Sequence, residues 1–518
     1  MPLRLTRRFL LAAGSAAGTL PSLPVLAAEP AAASVGHRLS AGTRMLEVNG
    51  RAAKVFRLTN QTGQPGIALA PGERFQVALK NELAGHTIIH WHGQLPPWTQ
   101  DGFPWPQTPP LAPGATKNYD YVPVTGTYWM HSHLGLQEQE LMTAPLIVHD
   151  AAELREDRQE VVLMLHDFSF TAPDELLANL TGQTPAAIRA MARMGENVPA
   201  PAMNMQGMAK SMTGGGGTMP GQMAGMSSGQ MSGKPSGGMG AMGGMGMDLN
   251  DVNYDAFLAN DRTLADPEVV RVAPRARIRL RIINGASSSN FWIDLGSLTG
   301  SVVAVDGNDV HPVAGSRFPL AIAQRMDILL DLPASGAFPV LARLEGSRRR
   351  TGIVFATQGA HIAKIDDSGL DQMQPIDDSL EVRLSAAKPL MPRKPDLVHR
   401  IDLSGDMKPY SWSLNGQRWP HITPLMLTRG QRVEIELVNH SMMAHPMHLH
   451  GHNFQVLAVN GKPISGAVRD TVLVTPRGGN VRIAFDADNP GRWAFHCHNL
   501  YHMMTGMMTE FRYRGIAV

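Results

Sequence analysis

Residues 493–508 read WAFHCHNLYHMMTGMM, and they hold the only cysteine of 518 residues, Cys497, set between His496 and His498 with His502 close behind. The run GRWAFHCH, residues 491–498, has the character of a β-strand. Successive side chains on a strand point to opposite faces. His496 and His498 therefore share one face and Cys497 takes the other, so one strand can serve two metal sites placed back to back.

Eleven of the 20 histidines fall in four short windows, and ten of them are singled out here: His90 and His92 in HWHG, His131 and His133 in HSH, His445, His448 and His450 in HPMHLHGH, and His496, His498 and His502 in HCHNLYH. A lone histidine is usually a satisfied core or surface residue. Four clustered windows are different, because each HxH pair on a strand aims two imidazoles at a common point. Imidazole suits copper, zinc and iron, and a single thiolate among histidines narrows that choice. Cys497 with His445 and His502 makes a His₂Cys trigonal set, and Met507 stands where a weak axial thioether could close it, which is the ligand set of a blue-copper electron-transfer site. His445 lies three and five residues before His448 and His450, so an extended strand turns it away from them. The eight remaining histidines, in four pairs, can hold three more coppers: two type 3 ions with three imidazoles each and one type 2 ion with two.

Outward from these windows the chain reads as short alternating runs bounded by turn residues, with 38 prolines and 52 glycines, the pattern of sandwiches or barrels. Three β blocks are expected: residues 39–165, 248–365 and 380–518. RFQVALKNEL, RIRLRIINGA and QRVEIELVNH suggest an internal repeat, each a strand ending in Asn near a turn, although generic strand chemistry would read the same way. Between the first two blocks, residues 191–247 carry 14 of the chain's 31 methionines among glycine and serine. That composition cannot bury a core, so a flexible insert is expected.

A hydrophobic content of 43%, 17% charged residues and a net charge of +2 describe an ordinary globular chain and give no reason to expect a nucleic-acid partner. Residues 1–28 read as an export signal, with Arg7 and Arg8 before Phe9, Leu10 and Leu11. The pattern resembles the twin-arginine signal, and an ordinary secretory signal with adjacent arginines is the other reading. Both lead to the periplasm or the cell exterior. No later stretch is apolar for long enough to span a bilayer, so stable membrane insertion is not expected. One cysteine cannot form an internal disulfide.

HWHG, GTYWMHSH, HPMHLHGH and HCHNLYHMMTGM together resemble the four copper motifs of the three-domain multicopper oxidases, the group of laccases, ascorbate oxidases and bacterial cuprous oxidases. The likeness covers the first and third blocks in full, and the middle block only by its strand character and lack of ligands. It implies three cupredoxin-like Greek-key β-sandwiches and four copper ions. Carried over position by position, it makes His90 and His448 the type 2 ligands, assigns His92, His131 and His498 to one type 3 copper and His133, His450 and His496 to the other, and leaves His445, Cys497, His502 and Met507 at type 1. Asp101 in TQDGFP resembles the family's carboxylate near the type 2 copper; a turn aspartate before glycine is the other reading.

The resemblance implies one-electron oxidation of a substrate coupled to reduction of O₂ to water. GLQEQE, NLYHMMTGM and the methionine-rich insert look most like the periplasmic copper-resistance branch, whereas HPMHLHGHNFQVL reads more like the laccase form. Thioether sulfur prefers Cu(I), so Cu(I) is the expected substrate, with Met442, Met443, Met503 and Met504, and Met508 near them, as candidates to bring it close to the blue site. Methionine also fills irregular core gaps, which is the competing reading of each. A small organic reductant such as a phenol is the alternative substrate, and a non-catalytic copper-sequestering protein is the alternative of another class. A monomer is expected.

Overall fold

The computed structural model describes residues 36–194 and 249–516. The export signal and all but the first four residues of the methionine-rich insert lie outside the described residues. Among the described residues, six sheets arrange in three pairs. In the first pair, a four-stranded sheet ordered Arg51–Asn60, His37–Val48, Phe75–Asn81, Thr116–Tyr121 faces another ordered Ile67–Leu69, Thr143–Val148, Gly126–Ser132, Ile89–His92. Leu39, Phe75, Val77 and Tyr119 of one meet Trp91, Met130 and Leu146 of the other in a single buried cluster.

The second pair joins a six-stranded sheet, with Arg277–Asn284 and Arg325–Asp331 at its centre, to a five-stranded sheet built on Ala337–Leu344 and Arg350–Ala356. Its strand Gln159–Phe168 corrects the expected end of the first block at residue 165: this strand runs parallel to Arg277–Asn284 and antiparallel to Ala256–Ala259, so its hydrogen bonds belong to the second sandwich. The third pair carries Leu397–Met407, Arg432–Asn439 and Asn480–Asp486 in one sheet, and His445–Leu449, Arg492–Cys497 and Met508–Tyr513 in the other.

The suggested repeat has a physical basis. Asn81, Asn284 and Asn439 end equivalent strands, and all three are fully buried. In each, the side-chain oxygen accepts the N–H two residues on (Leu83, Ala286, Ser441), while the amide donates to two carbonyls, one in the following turn and one further along the chain. A strand that leaves a sheet inside the protein exposes backbone groups that must find partners. One asparagine satisfies three of them.

Helices were not anticipated between residues 166 and 194, yet Pro173–Thr181 and Pro185–Met194 form there. The first begins with Pro at its first turn and ends at Gly182, whose φ of 69° suits the left-handed cap. Leu177 and Ile188 anchor the pair in the main core. Among the described residues no helix is long and apolar enough to cross a membrane.

Candidate metal centres

Ile89–His92, His445–Leu449 and Arg492–Cys497 are buried at every position, although their sequences alternate. One face of each strand packs into a sandwich core and the other presents imidazoles to an equally closed interior. Antiparallel register sorts the third block's ligands: Met447 pairs with Cys497, and His448 with His496.

On the thiol face, Cys497 Sγ lies 3.6 Å from both His445 Nδ1 and His502 Nδ1, and those two nitrogens are 3.1 Å apart. The far nitrogen of each ring is occupied or oriented: Ser441 Oγ lies 2.7 Å from His445 Nε2, and Asp251 Oδ2 lies 3.3 Å from His502 Nε2. Such outer partners fix the tautomer that leaves the inner nitrogen free for a metal. His502 rides on the short helix Leu500–Met504, whose cap Asn499 accepts the N–H groups of Tyr501 and His502 and donates to Asp251 Oδ2 at 2.6 Å. The Trp412 ring covers His502 with centroids 4.0 Å apart. Met507 is fully buried; its carbonyl accepts the Cys497 N–H, and its own N–H donates to the His502 carbonyl. Met508 packs with Phe103 and Trp105 in a separate cluster.

The eight other histidines converge between the first and third sandwiches. Donor atoms of His92, His131 and His498 fall within 4.8 Å of one another, as do those of His133, His450 and His496, and His90 closes a further group with His448 and His450. His90 Nδ1 donates to the Asp101 carbonyl and His448 Nδ1 to the Asp470 carbonyl, both at 2.9 Å, leaving each Nε2 buried without a protein partner. His92 is turned the other way: Nε2 meets Asp470 Oδ1 at 3.0 Å and Nδ1 faces His131 Nε2 at 3.4 Å. Burial holds the pKa values of His92, His131, His133, His450 and His498 well below the ordinary imidazole range and that of His496 at about 3, so all are neutral and ready to donate lone pairs. Inward nitrogens without protein partners, closed by burial, fit a cluster of imidazole-bound cations.

Asp101 is fully buried, and its Oδ2 accepts from His450 Nδ1 at 2.8 Å. Gly102 after it has φ 86°, and a Cβ there would strike the Ile89 carbonyl, so the Asp-Gly turn is pressed against the strand that carries His90. Three further carboxylates escaped the sequence reading. Glu138 bonds His131 Nδ1 at 2.8 Å, Asp470 bonds His92, and Asp251 faces His502. Glu138 belongs to GLQEQE, five residues past His133, the one place where proximity to a motif could have drawn attention to it. Asp251 lies far along the chain from His502, and Asp470 lies 378 residues from His92.

Of the candidate substrate methionines, Met442 is 56% exposed and Met503 and Met504 are half-buried against the core. Met443 is only 7% exposed and is part of the core cluster.

Family models described as multicopper oxidase match residues 41–153, 215–364 and 392–515. The chain belongs to the multicopper oxidase family, copper-holding oxidoreductases. Among its relatives, multicopper oxidase MmcO of Mycobacterium tuberculosis is 29% identical over 474 residues, covering 90% of this chain and 85% of that protein. A copper resistance protein A homolog of Pseudomonas syringae pv. tomato is 27% identical, covering 92% and 91%. The crystal structure of laccase from Botrytis aclada superposes with a TM-score of 0.69 at 20% identity, covering 93% of this chain and 88% of that one. The three paired sheets are cupredoxin-like β-sandwiches, as the resemblance implied.

Proposed function

We propose that the chain oxidises Cu(I) one electron at a time and passes the electrons to O₂, which is reduced to water, in the service of copper tolerance in the periplasm. In this reading His445, Cys497, His502 and Met507 hold a type 1 copper, His90 and His448 a type 2 copper, and the triples His92, His131, His498 and His133, His450, His496 two type 3 coppers. Bound copper would supply one-electron redox steps and the storage of the four electrons that O₂ needs.

The chain's own residues do the rest. Cys497 carries an electron from one face of its strand to the other, since its peptide neighbours His496 and His498 belong to the other site; this shared strand is the observation that supports the reading most. Asp101, hydrogen-bonded to His450 and close to His90, is placed to hold a proton beside the cluster, and Glu138 orients His131. Asp251, next to His502, puts negative charge where a cation would deliver its electron. The exposed Met442, three residues before His445, and the half-buried Met503 and Met504, directly after His502, supply soft sulfur next to two ligands in the chain. Kinship with a copper resistance protein A homolog supports Cu(I), while the laccase-like third motif and the laccase-like fold keep a phenol as the second reading.

The test is steady-state O₂ uptake by the copper-loaded protein with Cu(I) and with a bulky phenol, side by side. Faster turnover of Cu(I) supports the proposal, and faster turnover of the phenol supports the laccase reading. Copper binding without O₂ uptake from either substrate would leave a sequestering protein.

A further inference from the structure

Arg325 stands where the three sandwiches meet. Its Nε donates to the Thr127 carbonyl (3.3 Å), in the strand that also carries His131; Nη1 donates to the Ala323 carbonyl (3.0 Å) and to Asp470 Oδ1 (2.9 Å), and Nη2 closes on Asp470 Oδ2. Thr127 lies in the first sandwich and Asp470 between two strands of the third. Arg325 and Asp470 are both fully buried. Asp470 in turn faces two histidines: Oδ1 is 3.0 Å from His92 Nε2 and 3.4 Å from His448 Nδ1.

The pair is braced from behind. Asp306 accepts the Arg325 N–H at 2.8 Å and Arg469 Nε–H at 2.9 Å, and Arg469 is paired with Glu381. Room for it is reserved in front, at Gly93, the glycine of HWHG. Its φ is 84°, and a Cβ there would lie 2.6 Å from both Arg325 Nη2 and Asp470 Oδ2. The ion pair thus accounts for a glycine next to a ligand histidine, beyond the backbone conformation alone.

We propose that Arg325 is a positioning residue through which the middle sandwich, which supplies no histidine to the cluster, sets its geometry. The planar fork holds the Asp470 carboxylate at a fixed angle, and that carboxylate fixes which nitrogen His92 turns inward, while the Asp470 carbonyl beside it accepts from His448 Nδ1. Lysine keeps the charge but cannot make two parallel N–H bonds to one carboxylate. The inference rests on the proposal that these histidines hold copper.

Arg325→Lys and Arg325→Met are compared with the unaltered protein, loaded with copper and dialysed against a graded chelator. Both substitutions are expected to weaken copper retention at the histidine cluster by about 10–100-fold and to change the hyperfine splitting of the type 2 EPR signal, while the blue absorption per chain, which reports the separate Cys497 site and the fold, stays the same. In the metal-free proteins, the imidazole proton on His92 Nε2 should lose its slow exchange in both variants. Copper retention, EPR splitting and proton exchange unchanged in Arg325→Lys would overturn the proposal, because charge alone would then suffice. Loss of the blue band together with the cluster would also overturn it, showing a role in the fold as a whole. If the unaltered protein binds no copper, the copper reading itself fails, and the His92 proton still decides whether Arg325 orients that ring.

Discussion

His448 and His496 face each other across two antiparallel strands, one residue along from the pair formed by Met447 and Cys497. A register shift of one residue would exchange the two faces of a strand. Two separate donor sets are therefore specified by one alignment, and the buried asparagine at the end of Arg432–Asn439 helps to hold it: Asn439 bonds the Val474 carbonyl, in the strand that flanks His445–Leu449, and through Ser441 it reaches His445.

Asn439→Ala should cost about 2 kcal/mol or more, because it leaves buried backbone groups without partners, and should also shift the blue absorption by loosening Ser441 and His445. Asn284→Ala removes the equivalent cap from the middle sandwich. It should cost a similar amount and leave the blue band in place. Thermal unfolding and visible spectra of the two variants check the contrast.

Much of the site was legible because its elements are local. HxH spacing on a strand fixes a shared face, so four windows could be read as candidate metal-binding groups, while their division among separate ions came from the family resemblance. The oppositely facing His445 followed from its odd offset to His448 and His450. What stayed hidden is whatever chain topology alone brings together. Arg325 reads as the start of an ordinary strand, RMDILLDL, and Asp470 as one acid in GAVRDTVL, until a contact spanning 145 residues joins them. The strand Gln159–Phe168 was misplaced for a similar reason: its alternation gives no sign of which sheet it will join.

Met507→Leu should keep the blue copper and raise its reduction potential, since an axial thioether donates weakly to Cu(II). The buried place of Met507 beside Cys497 favours it over Met508, which packs with Phe103 and Trp105. A redox titration settles the matter, and an unchanged or lower potential would point to another axial ligand.

Glu345 gives a pH dependence seated outside the metal sites, with the charge of Asp251 a lesser contribution. It accepts from the Ile376 N–H and from Asn290, and burial raises its pKa from 4.5 to about 7. A pKa raised by folding means stability that is complete below about pH 4.5 and is lost as pH rises through about 7. Glu345→Gln should therefore flatten this decline and raise the melting temperature at pH 8 relative to the unaltered protein. A series of melting curves from pH 5 to pH 8 tests it.

Deleting residues 195–247 removes 12 of the 31 methionines and should act on substrate supply. All four coppers should remain, and Cu(I) oxidation should weaken mainly through a higher KM, with phenol oxidation maintained or faster. Unchanged kinetics with both substrates would deprive the Cu(I) reading of this support.

The most direct measurement is the copper content and visible spectrum of Cys497→Ser. The thiol sits 3.6 Å from two imidazole nitrogens on one face of its strand, while its neighbours His496 and His498 serve the other. The expected result is loss of the intense blue absorption and of nearly all O₂ uptake, with three coppers retained by the eight histidines of the cluster. A variant that keeps its blue band or its turnover would contradict the assignment of Cys497 as the thiolate ligand and the point of electron entry.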